Sequence, residues 1–454
     1  MFAGGWTLDA AEYVGEDPAI AREDVLDLLT SLIHKSLVMP DDRGERYRML
    51  ETLRDYARDR LRERGETAAA STRHRDYFLA FAERAEPYLE GGPEQPEWMA
   101  SLDHEHDNLR SALAWNIEAP DGSDAGLRIC GSIYRFWAHR GHAREGCRWC
   151  NVALADAAGT SGMAARAKAL HAAGTLTWRL GDIVAARALL EQALALSRQL
   201  EDLQRESRIL SNLGGVAIHQ ADSVAARTYL EQAVALHRTL GNETLEARVL
   251  NNLVALAINE NRLAEAKVLL ERALQLSRAL GNRMEEATAM SHLGYIVRQS
   301  GDLEGAQTLH EHALTIAREF GIREFELEEV RHLGEIALTR GNLKAAQRHF
   351  HDALATSKEI GNLHEIALCL EAMAALAAKT GAHRQAGILL GAADAIREGI
   401  VTPRAHSERE QYEATLAACH DAQGQDVALA AIASGRALTP DAAVAHAFVW
   451  LEKR

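Results

Sequence analysis

Apolar positions across residues 123–400 recur with a period of forty. Ala153, Ala193, Ala233, Ala273, Ala313, Ala353 and Ala393 hold one slot in seven successive units. Leu213, Leu253, Leu293 and Leu333 hold a second, and Ala186, Ala226, Ala266, Ala306, Ala346 and Ala386 a third. Within a unit, Leu210, Leu213, Val216 and Ala217 draw one helical stripe, and Ala226, Leu230, Ala233 and Leu236 draw another. Gly181-Asp182, Ala221-Asp222, Asn261-Arg262, Gly301-Asp302 and Gly341-Asn342 separate the two stripes, while Gly241-Asn242, Gly281-Asn282 and Gly361-Asn362 close the unit. Gly or Asn at such a point takes the left-handed conformation that ends a helix. The pattern therefore predicts helix–turn–helix hairpins, stacked so that each meets only its neighbours. Such a stack offers a long curved surface rather than a catalytic pocket.

The flanks follow other rhythms. Asp24–His34 has one apolar face (Val25, Leu28, Leu29, Leu32), Ser36–Met39 reads as a strand, 40–44 as a turn, and Tyr47–Met49 as a return strand. A charged helix follows over Glu51–Arg64. Beyond Ile400, Val401-Thr402-Pro403-Arg404 breaks the array. A helix is expected from about Ser407 to Ala422, and another starts at Thr439-Pro440-Asp441. The expected domains are 1–64, a small helix–hairpin–helix; 65–122, a helical connector; 123–400, about seven hairpins; and 401–454, a helical cap.

Composition narrows the chemistry. A formal charge of −15 over 454 residues argues against tracking a phosphate backbone. Few prolines and abundant Ala and Leu suit an all-α protein. Cys130, Cys147, Cys150, Cys369 and Cys419 lack disulfide-scaffold spacing, so a cytoplasmic location is expected. No apolar run approaches a membrane span, and no signal peptide is evident at the N-terminus. Cys147-Arg148-Trp149-Cys150 has no second ligand pair, and His104-Glu105-His106 no further acid or Cys, so neither a metal nor a cofactor is expected. Glu285-Glu286 and Glu328-Glu329 read as solvent-facing helix charge, and no nucleophile motif is visible. The expectation is a non-enzyme.

Leu213-Gly214, Ala217, Ala226, Leu230 and Ala233 resemble the tetratricopeptide repeat framework, with a period of forty where that family has thirty-four. Six extra residues make about 1.7 helical turns, as two longer helices would. The fold class implied is an all-α tetratricopeptide superhelix of 40-residue hairpins preceded by a partial winged helix. Phe2-Ala3-Gly4-Gly5-Trp6, Lys35-Ser36-Leu37-Val38 and Tyr47–Ala57 are similar to the winged-helix segment of bacterial STAND-type regulatory ATPases and LuxR-like regulators. His74–Phe78, Glu105–Leu113 and Leu389–Arg397 match the same family. No Gly-x4-Gly-Lys loop is present, so the resemblance is to the regulatory half, with the chain beginning inside the winged helix without its first helix.

The resemblance implies a groove on the first helix of each hairpin, binding a protein, peptide or small inducer. Its candidate residues are Arg208, Asn212, Arg248, Asn252, His292 and Tyr295, with Asn212 and Asn252 matching a backbone-clamping asparagine. Self-association is left open, and DNA contact through the winged helix is the alternative function. There the basic residues Lys35, Arg43, Arg46, Arg48, Arg54 and Arg58 are interleaved with acids, which favours packing against another domain.

Overall fold

The computed structural model describes residues 1–41, 43–119, 124–156, 162–404 and 406–452. Asp42 of the expected turn and the expected 122/123 boundary lie outside these. The described residues form two compact units, Met1–Glu90 with Glu94–Phe136 and Arg148–Ala172, and Gly91–Pro93 with Trp137–Cys147 and the chain from Ala173 onward.

In the first unit β1 (Trp6–Thr7), β2 (Met39–Pro40) and β3 (Arg46–Arg48) make an antiparallel sheet in the order β1-β3-β2, with Trp6 opposite Tyr47 and Met39 opposite Arg48. Around it lie α1 (Leu8–Gly15), α2 (Val25–His34) and α3 (Glu51–Glu63). Two expectations change here. A helix does precede α2: Thr7 caps α1 by accepting from the Ala10 amide. The strand expected over Ser36–Met39 begins at Met39, because Ser36 takes a φ of 57°.

The helices α4 (Thr67–Ala85) and α5 (Gln95–Glu118) carry the segments similar to the STAND family. Phe2 stacks on Trp6 at 5.2 Å and meets the His74 and Phe78 rings edge-on. Asn108, fully buried, accepts from the Ala3 amide at 2.7 Å and donates to the Gly5 carbonyl at 2.8 Å. Strings distant in sequence thus converge to anchor one N-terminal loop.

The array helices follow: α6 (Ala125–His139), α7 (Ala143–Asp156), α8 (Met163–Arg179), α9 (Ile183–Gln199), α10 (Leu203–His219), α11 (Ser223–Thr239), α12 (Glu243–Asn259), α13 (Leu263–Ala279), α14 (Arg283–Gln299), α15 (Leu303–Phe320), α16 (Arg323–Thr339), α17 (Leu343–Ile360), α18 (Leu363–Lys379) and α19 (His383–Gly399). The cap is α20 (His406–Gln423), α21 (Gln425–Arg436) and α22 (Pro440–Glu452).

From α8 on, the structural period is twenty. Residues 181, 201, 221 and so on to 401 each have positive φ, whether Gly, Glu201, Ala221, Asn261 or Val401. Most are followed by Asp or Asn, and Asp182, Asp202, Asp222, Asn242, Asn282, Asp302, Asn342 and Asn362 each accept from the amide three residues on. One residue reverses the chain and the next caps the new helix. Arg198–Glu206, Arg238–Glu246, Arg278–Glu286 and Arg318–Glu326 pair at 2.7–2.8 Å across successive turns, a rung repeated every hairpin.

Packing within a hairpin is knob into hole. A Cβ on Gly334 would lie 2.5 Å from the Phe350 ring, and one on Gly214 would collide with Leu230. Glycine in this slot admits a large side chain from the second helix of its own hairpin. Phe350 is fully buried, so Phe350→Ala is expected to cost about 3–5 kcal/mol, read as a lower urea midpoint.

The second unit also curls back on itself. Arg179 of α8 pairs with Glu324 of α16, 145 residues on, and His219 of α10 lies 4.6 Å from His364 of α18, ring to ring. A Cβ on Gly181 would stand 3.2 Å from the His364 amide nitrogen.

Candidate binding cavity

In the second unit α12, α14, α16 and α18 surround a cavity of about 650 Å³, and α20 walls its remaining side. Its lining includes Asn259, Ser291, His292, Tyr295, Arg298, Arg331, His332, Glu335, Glu371, Lys379, Gln411 and Tyr412, with Ile258, Leu338 and Phe350 as apolar floor.

The six candidate residues divide. His292 and Tyr295 line this cavity, and the Arg298 guanidinium lies 5.4 Å over the Tyr295 ring. Arg208, Asn212, Arg248 and Asn252 are not among its lining residues. Asn212 donates to Thr175 Oγ1 at 2.8 Å and Asn252 to Ser211 Oγ at 3.4 Å, each reaching into the preceding hairpin. Arg248 Nε donates to Glu285 Oε1 at 2.7 Å, and Arg208 is half-buried on α10.

A network of charge crosses the cavity wall. Glu335 meets Arg331 at 2.8 Å, Arg298 at 3.2 Å and His332 at 3.4 Å. Burial opposes its ionisation, yet Arg298, His332 and Arg331 outweigh that and hold the carboxyl well below its usual range. His332, half-buried beside Arg331, is pushed down to about 4 by desolvation, and desolvation holds His292 at about 4. Both are neutral at physiological pH and can donate or accept. Burial, then the neighbouring Glu365 carboxylate, pushes Glu328 up to about 8.

The acidic pairs depart from expectation. Glu285 is buried and bonded to Arg248 and Asn251, and Glu329, fully buried, meets His310 Nδ1 at 2.8 Å. Of their neighbours, Glu286 is half-buried and pairs with Arg278, and Glu328 is half-buried as well. Glu105 and His106 are likewise buried, Glu105 against Arg46 and His106 against the Phe136 ring. Cys150 is buried and hydrogen-bonded with Cys130. Among the described residues no group of three His, Cys, Asp or Glu is placed to hold a metal ion, and no helix is long and apolar enough to cross a membrane. Sequence reasoning also missed Arg298, Glu371 and Tyr412. Arg298 carried a signal, standing one turn beyond Tyr295 on the same helix face.

On α3 the arginines are locally neutralised: Arg54–Glu51 at 3.7 Å, Arg58–Asp55 at 3.1 Å, Arg62–Asp59 at 3.0 Å and Arg60–Glu63 at 2.5 Å.

A tetratricopeptide repeat family model matches residues 143–239 and 245–319. Curated proteins of Mycobacterium bovis and Mycobacterium tuberculosis, each named "Putative HTH-type transcriptional regulator", are 37% identical over 225 residues, covering 47% of this chain and 25% of theirs. The match thus spans about a quarter of the length of these relatives. Among solved structures, a Rap protein complexed with Competence and Sporulation Factor superposes with a TM-score of 0.53 at 13% identity, over 82% of this chain and 99% of that one. The Rap conjugation gene regulator of plasmid pLS20, in complex with the Phr* peptide, gives 0.50 at 14% identity, over 71% and 96%. At such identities the likeness is one of fold. The chain is a tetratricopeptide-type stack of helical hairpins, an architecture typical of protein-interaction scaffolds, and it has sequence relatives named as transcriptional regulators.

Proposed function

We propose that this chain is the sensing part of a signal-responsive transcriptional regulator and that it binds a peptide or protein segment, without catalysis, in the cavity walled by α12, α14, α16 and α18. The observation that carries the reading is the lining itself. Helices from four successive hairpins present Asn259, Tyr295, His332 and Lys379 over an apolar floor, a mixture suited to a peptide's main chain and side chains together. One fold neighbour is described as complexed with Competence and Sporulation Factor and another with the Phr* peptide, which supports a ligand of the peptide or protein kind. Asn212 and Asn252 would extend the surface toward the N-terminal hairpins. Direct DNA contact through residues 1–64 has less support, because each α3 arginine named above already faces a carboxylate.

The test is selection from a displayed random-peptide library, followed by calorimetry on the selected peptide. Tyr295→Ala and Arg298→Ala should each weaken binding about tenfold or more, the loss of one well-buried contact, while Asn212→Ala plus Asn252→Ala should weaken it less. Failure to select any peptide, or peptides indifferent to both cavity variants, would sink the proposal.

A further inference from the structure

The fourth inward-facing helix is followed by one of a different kind. α20 lies outside the repeat pattern, yet Glu408, Gln411 and Tyr412 complete the wall of the cavity. Its hold is weak in apolar terms: α18 buries eleven of its seventeen residues, whereas from Glu408 on α20 fully buries Thr415 and Cys419 alone.

What fastens α20 is polar and concentrated at one end. Arg404 reaches Glu371 of α18 at 2.7 Å and Asp394 of α19 at 2.6 Å, and its guanidinium stacks 3.6 Å from the centre of the Tyr412 ring. Tyr412 donates its hydroxyl proton to Asp394 at 3.1 Å. Glu408 meets Arg397 at 3.0 Å.

Both ends of α20 have backbones suited to pivoting. Val401, at φ 53°, occupies the left-handed slot that closes each array helix, here filled by a β-branched residue that adopts it only under strain. Gly424 has φ 82° and ψ 154°, a region open to glycine almost alone, with free space around it. The neighbours on either side are firmly seated, since α19 and α21 cross at glycine-to-backbone distance.

We infer that α20 is a lid over the cavity, pivoting at Val401 and Gly424 and latched by Arg404 on Glu371, Asp394 and Tyr412. Closed, it walls one side of the cavity; open, it uncovers Tyr295 and Arg298 to a ligand as large as a peptide. What the lid controls rests on the peptide-binding reading. That it opens does not, and opening is measured without any ligand.

The chain carries its own reporters. Cys419, on the underside of α20, is fully buried with its thiol toward the His383 carbonyl, and Cys369 is fully buried in the array core. Lid opening exposes the first and leaves the second covered, whereas unfolding exposes both. Thiol labelling of the full chain with N-ethylmaleimide, mapped by peptide mass, separates them. Arg404→Ala is expected to speed Cys419 labelling about tenfold or more, as removal of a charged latch requires, with Cys369 unchanged. Tyr412→Phe, a milder change that keeps the ring, should speed Cys419 to a lesser degree. Cys419 labelling at the wild-type rate in both variants, or Cys419 and Cys369 accelerating together, would overturn the lid.

Discussion

Gly391→Val should detach the C-terminal cap, at a cost of at least about 3 kcal/mol. At the crossing of α19 and α21 the Ile432 carbonyl stands where a Cβ on Gly391 would go, and the Ile388 carbonyl stands against Gly435 in the same way. A flexible side chain could move aside, but here the obstacle is backbone on both helices. Separating them uncovers Leu389, Leu390 and Ala428, and with them the seat of Val444, Ala447 and Leu451 of α22 in one shared core. Limited proteolysis should then cut within 401–452 while the earlier hairpins resist, and urea unfolding should show a lowered or split transition. An unchanged midpoint with a resistant C-terminus would refute the account. The crossing also explains why Leu389–Arg397 stood out in the sequence. Gly391 admits α21, and Asp394 gathers Arg404, Tyr412 and Arg436.

Mild acid should destabilise the protein strongly. Burial holds His74 at about 3 and His219, His292 and His332 at about 4, each below the ordinary imidazole value, and His364 is also well below it. The unfolded chain therefore binds protons below pH 6.5 that the native state refuses. Stability is present above that pH and is lost as pH falls toward 4. Each such imidazole costs about 2 kcal/mol between pH 7 and pH 5. Glu328 acts in the opposite sense. Its folded value of about 8 means the native state holds a proton the unfolded state releases, returning about 2 kcal/mol over the same interval. Glu324, Glu365 and Glu371 are raised in the same sense as Glu328 and Glu335 is lowered in the sense of the histidines, so the histidines set the direction of the change and the raised acids reduce its size. Urea midpoints at pH 7 and pH 5 measure it, and His292→Asn should flatten the difference. Equal midpoints at the two pH values would contradict the neutral state of these rings.

The hairpins were legible because their apolar slots repeat as residue types. The twenty-residue period was not, since the left-handed position is filled by Gly, Glu201, Ala221, Asn261 and Val401. That slot is defined by backbone conformation, which side-chain identity marks only when it is glycine or asparagine. α1 escaped notice because eight residues show barely two helical turns of pattern. Of the cavity, His292 and Tyr295 could be placed by counting from the stripe. Glu371 and Tyr412 could not, because they meet through Arg404 and a strap outside the period. Glu285 and Glu329 looked like solvent charge for a related reason. Their partners Arg248 and His310 stand 37 and 19 residues away on neighbouring helices, and an amphipathicity rule sees only one helix at a time.

An open stack of hairpins can gain or lose a unit for the loss or gain of one interface. The curl that brings Arg179 to Glu324 and His219 to His364 removes that freedom. Deleting forty residues between those partners would leave each half of a pair facing the wrong hairpin. It would also strand buried charges that only the far turn neutralises. The number of hairpins is therefore an inherited constant of this chain, and its descendants can vary the surface of each hairpin far more readily than the count.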